Sequence, residues 1–117
     1  MSHHPARPPF YVTETPAGTG VGFAAGTALT DDHVEALARR LTALAGGLGH
    51  PPVTLDLGGV NALSSAALGK LVALHRAVRA GGGRVTLTNL TPAVRRTLRV
   101  TRLDAILDIR AAEPALV

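Results

Sequence analysis

The residues of this chain best placed to do chemistry are two adjacent serines. They lie in the stretch Asn61-Ala62-Leu63-Ser64-Ser65-Ala66-Ala67-Leu68-Gly69-Lys70-Leu71, between an apolar strand-like run and an apolar helical run. A hydroxyl at such a junction has two uses. It can accept a hydrogen bond from an orphan amide of the first helical turn, the N-cap role. If it points outward from the helix start, it can instead carry a phosphate. The roughly two negative charges then meet unpaired amides and the positive end of the helix dipole. Ser64 stands where the helix must begin, and its hydroxyl is suited to accept from the amide of Ala66 or Ala67. Ser65 would then be the first helical residue. The small neighbours Ala66, Ala67 and Gly69 leave the helix start uncrowded, so a second protein could approach closely. Propensity alone favours the cap and leaves Ser65 a spare hydroxyl.

Other chemistries find little support. Acid–base catalysis needs titratable groups held together in a cleft. The eight acids are Glu14, Asp31, Asp32, Glu35, Asp56, Asp104, Asp108 and Glu113, and most fall at helix starts or near the termini, where capping and solvation account for them. Asp56 lies inside an alternating strand pattern. There is no Gly-x-Ser-x-Gly elbow, Walker loop, HExxH or GxGxxG. Gly81-Gly82-Gly83 follows a helical run, so it reads as a helix stop and not as a phosphate cradle. His3 and His4 fall in a proline-rich arm, His33 in a first helical turn, and His75 on or beside an apolar stripe, where a partly buried, hydrogen-bonded histidine is expected. Cysteine is absent, which rules out disulfides and thiolate metal sites. The expectation is a protein that is not an enzyme, with no catalytic residue, no cofactor and no metal.

The formal charge is +4. It is concentrated: from Lys70 to Arg110 nine Lys/Arg face two acids, Asp104 and Asp108. The arginines are spread over helical faces without aromatic partners for base stacking, so a solvated surface is the simpler reading and nucleic acid is not expected. An acidic protein could use the same surface. A small basic nucleic-acid-binding module stays as a remote alternative. No apolar run approaches the roughly 20 residues that span a bilayer, and the first residues contain no signal-peptide core. These features point to a cytoplasmic protein.

The elements that must position the serines follow from periodicity. Residues 1–9 read as a flexible arm, 10–110 as one domain and 111–117 as a tail. Strands are expected at 10–14 and 21–25, joined as a hairpin through Pro16–Gly20. Thr30-Asp31-Asp32 opens a helix whose stripe is Val34, Leu37, Ala38, Leu41, Leu44 and Ala45, stopped by Gly46-Gly47. Val53-Thr54-Leu55-Asp56-Leu57 alternates with period two. A second helix carries Leu68, Leu71, Val72, His75 and Val78. Arg84–Thr88 is another strand, Thr91-Pro92 opens a third helix, and Ala105–Ile109 is a last short strand. The order is β-β-α-β-α-β-α-β. Strand–helix–strand units force parallel pairing. The fold class is therefore α/β: a mixed central sheet of about five strands with helices packed mainly on one face.

Order and residues together resemble a known family. The segments 53–60, 63–71, 82–89 and 92–98 closely resemble the STAS domain of bacterial anti-sigma factor antagonists, a domain also found at the cytosolic end of sulfate transporters. The resemblance covers roughly residues 10–110. In that family the motif after the third strand usually reads Asp-Ser-x-Gly. Its serine is phosphorylated by an anti-sigma factor that is a serine kinase of the histidine-kinase-like ATPase type, and a serine phosphatase restores it. Matched position by position, Ser65 takes the place of the phosphorylated serine, with Ser64 as the alternative acceptor. Ser64 stands where the family usually has Asp and Ala67 where it has Gly, while Leu68 and Gly69 match. The resemblance implies an anti-sigma factor antagonist-like regulator that binds such a kinase through Ser64, Ser65, Ala66, Ala67, Leu68, Gly69 and Lys70. It equally allows a scaffold subunit of a signalling or lipid-transport assembly that is never phosphorylated. The oligomeric state is not set by the sequence.

Overall fold

Alternation decides the sheet. The computed structural model describes residues 9–45 and 52–110. Strands β1 (Phe10–Thr15), β2 (Gly18–Phe23), β4 (Val53–Asp56), β6 (Val85–Thr88) and β7 (Asp108–Arg110) form one five-stranded sheet in the order β1-β2-β4-β6-β7. Only the β1–β2 pair is antiparallel. Val53, Leu55 and Leu57 are buried whereas Thr54 and Asp56 are exposed. Parallel register extends the apolar face across the sheet, because Val21 pairs with Leu55 and Leu55 with Leu87; on the other face Thr86, in register with Thr54, is buried. The apolar face merges with the stripes of α1 (Asp31–Ala45), α2 (Ser65–Ala80) and α3 (Pro92–Val100) into one core. The opposite face shows Thr13, Thr15, Thr54 and Asp56 to solvent.

Two short strands were not expected. β3 (Thr27–Leu29) and β5 (Val60–Leu63) pair in parallel as a separate two-stranded sheet. Their pairing joins residues more than thirty positions apart, and neither is long enough to display an alternation of its own. The hairpin also turns more tightly than expected, with Thr15 opposite Gly18. Pro16-Ala17 alone makes the turn, and Gly18 and Gly20 belong to β2. The last strand begins later than the Ala105–Ile109 reading. A 3-10 turn at Leu103–Ala105 comes first, entered through Arg102 at φ +61°. Leu103 accepts from the amides of both Ile106 and Leu107, which holds these apolar residues in a turn and out of the strand.

All three helices begin on a hydroxyl. Ser64 Oγ accepts from the Ala67 amide at 3.0 Å and Thr91 Oγ1 from the Val94 amide at 3.4 Å. At α1, Thr30 and His33 cap reciprocally: the His33 amide donates to Thr30 Oγ1 and the Thr30 amide to His33 Nδ1. Histidine here takes the place that Glu or Gln fills in a capping box. The far end of α2 is a glycine stop as expected. Gly82 has φ +86°, the Gly82 amide donates to Arg79 O at 3.0 Å and the Gly83 amide to Val78 O at 2.9 Å, a Schellman arrangement. The arm, the Gly46-Gly47 stop and the tail expected from the sequence lie outside the described residues, except that the Pro9 carbonyl accepts from the Ala24 amide. Among the described residues no helix is long and apolar enough to cross a membrane.

Candidate docking site at the start of helix α2

The small β3–β5 sheet has a consequence for the serines. The Ser64 amide donates to Leu29 O, one residue before the cap of α1, and Thr91 Oγ1, the cap of α3, donates to Val60 O at 2.7 Å. The starts of all three helices are thereby tied to one pair of strands. Their positive dipole ends gather at one edge of the fold. The approach to Ser64 is fixed from the other side as well. Asp56 Oδ1 accepts from the Gly58 amide at 2.9 Å and from Asn89 Nδ2 at 3.1 Å. Asn89 adopts φ +55°, a left-handed conformation that Asn tolerates better than most residues. A Cβ at Gly59 would strike the carbonyls of Phe23 and Ala24, so glycine is required there.

Within this frame the two serines do different things. Ser64 is extended (φ −73°, ψ 157°), and its hydroxyl is engaged as the cap. Ser65 is the first helical residue, exposed, with no hydrogen bond to its hydroxyl among the described residues. Ala66, Gly69 and Lys70 are exposed beside it. Ala67 and Leu68, expected among the partner-contacting residues, are instead core residues with 0% and 6% exposure, and offer a partner no free side chain. The helical period turns positions 67, 68 and 71 inward together, so the accessible set shrinks to Ser64, Ser65, Ala66, Gly69 and Lys70.

Gly69 is informative because this chain has no need of it. A Cβ at that position would meet nothing within 4 Å, and its φ is not in the left-handed region. Glycine inside a helix costs about 1 kcal/mol relative to alanine. It leaves the surface bare one turn after Ser65. Lys70 closes the bare patch, with its Nζ 3.7 Å from Glu35 of α1 in a pair that is nearly half exposed on both sides. Beyond it a groove of about 440 Å³ runs between α1 and α2 over Leu41, Leu74 and Val78.

His75 departs from expectation. It is buried on α2, 9% exposed, but its Nδ1 has no hydrogen-bond partner among the described residues. What the sequence did not reveal is the second role of Thr91. Its Thr-Pro signature marks a helix start, and nothing local announces the bond to Val60.

The comparisons with known proteins agree with this fold. A family model described as "Mlab, STAS domain" matches residues 17–109. No curated protein sequence matches. Among solved structures, an anti-sigma-factor antagonist (STAS) domain protein from Planctomyces limnophilus is 24% identical. It has a TM-score of 0.72, with 89% of this chain and 91% of that one covered. SpoIIAA, a Bacillus cell fate determinant solved in its phosphorylated form, is 17% identical with a TM-score of 0.63, covering 89% and 93%. The murine Slc26a9 anion transporter is 19% identical with a TM-score of 0.61, over 75% of this chain and 14% of that one. At these identities the likeness is one of fold.

Proposed function

This chain belongs to the STAS domain family, and from that premise we propose that it is an anti-sigma factor antagonist-like regulator controlled by phosphorylation of Ser65. Its partner is an anti-sigma factor of the histidine-kinase-like ATPase type, which docks on the start of α2. The observation that carries this reading is the division of labour between the serines. Ser64 is committed to the cap, while Ser65 is exposed, unbonded and bordered by the bare Gly69. The similar SpoIIAA fold is described both unphosphorylated and phosphorylated, which supports a phosphate-tolerant scaffold.

In the phosphorylation step the γ-phosphoryl of ATP passes to Ser65 Oγ. The new P–O bond forms as the β–γ bridging bond breaks, ADP leaves, and the hydroxyl proton goes to a base on the kinase. The product dianion sits at a helix start, where orphan amides stabilise it within this chain. At a docked interface the same dianion must lose its water, and it drives the partner off without refolding the domain. A serine phosphatase resets the cycle. Such a protein acts in transcription regulation within the cytoplasm.

The test is direct. The purified protein is mixed with ATP, Mg²⁺ and the kinase encoded nearest its gene. Phosphate uptake at Ser65, abolished by Ser65→Ala and retained by Ser64→Ala, is the expected result; uptake that survives Ser65→Ala would overturn it. The replacement of the usual Asp by Ser64, together with the Mlab description of the family model, favours one second reading: a constitutive scaffold in a signalling or lipid-transport assembly. Stable binding without any uptake would be its signature.

A further inference from the structure

Helix α3 carries a different surface. It buries Val94 and Leu98, both 0% exposed, and thereby turns Arg95, Arg96 and Arg99 to solvent; Arg102 follows just past its end and is also exposed. Among the described residues none of the four has an acidic partner. Among the described residues the ion pairs are Lys70–Glu35, Arg79–Asp108 and Arg84–Asp108. Asp108 is thus held by cations from the end of α2 and the start of β6. Arg96 and Val100 are one helical turn apart and share the outward face. Val100 is 76% exposed and Ile106 44%, two of the three large apolar side chains exposed among the described residues. Between α3 and β7 lies a notch of about 240 Å³. It is lined by the half-buried Leu90 and Ile109, with the fully buried Leu98 beneath them, and by Arg95, Arg99 and Asp104.

The shape and charge of this face select among ligands. Nucleic acid would use the cations, but has nothing to place on an apolar floor and finds no aromatic side chain here on which to stack. An anionic bilayer would use the cations with a convex apolar prominence, whereas the notch is concave. A protein segment supplies both halves: one apolar side chain for the notch and carboxylates for the arginines. Arginine is enriched at such interfaces, and their affinity is concentrated where an apolar anchor fills a pocket.

We propose that the α3–β7 face is a second docking surface, distinct from the start of α2, for an acidic protein segment. A Leu or Phe of that segment occupies the Leu90–Leu98–Ile109 notch, and its Asp or Glu residues pair with Arg95, Arg96, Arg99 and Arg102. Val100 and Ile106 form the apolar margin that excludes water around these pairs. This inference does not depend on phosphorylation at Ser65, and either can fail without the other.

The experiment uses the full chain and a fluorescein-labelled peptide, Asp-Glu-Glu-Leu-Phe-Glu-Asp, at about 0.15 M salt, where the Debye length of about 8 Å screens loose charge contacts. A second peptide replaces Leu-Phe with Ser-Asn and keeps every charge. The expected result is binding of the first peptide roughly tenfold or more tighter than the second, with amide shifts at Leu90, Leu98 and Ile109. The Arg95→Glu/Arg99→Glu double variant should weaken it at least about tenfold, and Arg95→Gln/Arg99→Gln by an intermediate factor. Urea midpoints establish that both double variants are folded. Equal affinity for the two peptides, indifference to both double variants, shifts confined to the start of α2, or no binding would overturn the proposal. So would tighter binding to vesicles of phosphatidylglycerol, to a duplex oligonucleotide, or to a second copy of the chain.

Discussion

Helices α2 and α3 begin alike and end up presenting opposite surfaces. Each starts on a hydroxyl cap, each is tied to the β3–β5 pair, and each buries one apolar stripe in the same core. Past the cap they diverge. The first turns of α2 expose Ser65, Ala66 and Gly69, with no charge before Lys70, whereas α3 exposes three arginines within its nine residues. A bare, neutral helix start allows close approach and leaves any charge placed there unscreened by neighbours. An arginine-rich face instead attracts at a distance and tolerates a looser fit. Under the two proposals above, one surface is switched and the other recruits.

The sharpest way to break that comparison is to charge the bare surface. Ser65→Glu should lower affinity for the kinase partner on the order of a hundredfold, about 2.7 kcal/mol, because an interface that fits small side chains must desolvate the new carboxylate. Ser65→Ala should stay within about threefold by calorimetric titration, since the Ser65 hydroxyl has no bond to lose among the described residues. Equal losses for the two variants would mean that the contact is to the hydroxyl and that charge is not the switch.

The caps come next in size and separate the two helices by structure alone. Thr91→Ala should cost about 2 kcal/mol in urea denaturation. It removes the cap and also leaves the Val60 carbonyl without its donor. Ser64→Ala removes a cap only and should cost about 1 kcal/mol. The reverse order would mean that the β5 tie does not hold α3 in place.

The contrast between these caps also marks how far the sequence could be read. Helix starts at Thr30, Ser64 and Thr91, the glycine stop at 81–83 and the strands around Leu55 and Leu87 were all legible, because each rests on local spacing or on one residue's backbone preference. The cap at Ser64 and the exposed first-turn place of Ser65 were legible for the same reason. The β3–β5 pair was not, because three- and four-residue strands joined across the chain show no period of their own. Leu107 was drawn into a strand because an apolar run looks the same whether it is buried by pairing or by a turn. The Ser64–Lys70 segment was read as a continuous surface, although helical period alone requires Ala67 and Leu68 to face inward. His75 illustrates a different limit: its burial follows from the stripe, but whether its Nδ1 meets a partner is a matter of tertiary geometry, and among the described residues it meets none.

The smallest effect is also the one that bears most closely on why α2 looks as it does. Gly69→Ala adds a methyl that meets nothing within 4 Å, at a position with no left-handed requirement. The folded chain should therefore become more stable by about 0.5–1 kcal/mol, read as a higher urea midpoint with an unchanged slope. If the start of α2 is a docking surface, that same methyl stands one turn from Ser65 on the contacting face and should weaken partner binding by about three- to tenfold. A gain in stability with unchanged affinity would place the interface elsewhere on the domain. A loss of stability would mean that the methyl is crowded by a neighbour this geometry does not contain. Stability and binding should move in opposite directions only if Gly69 serves a surface that another molecule completes.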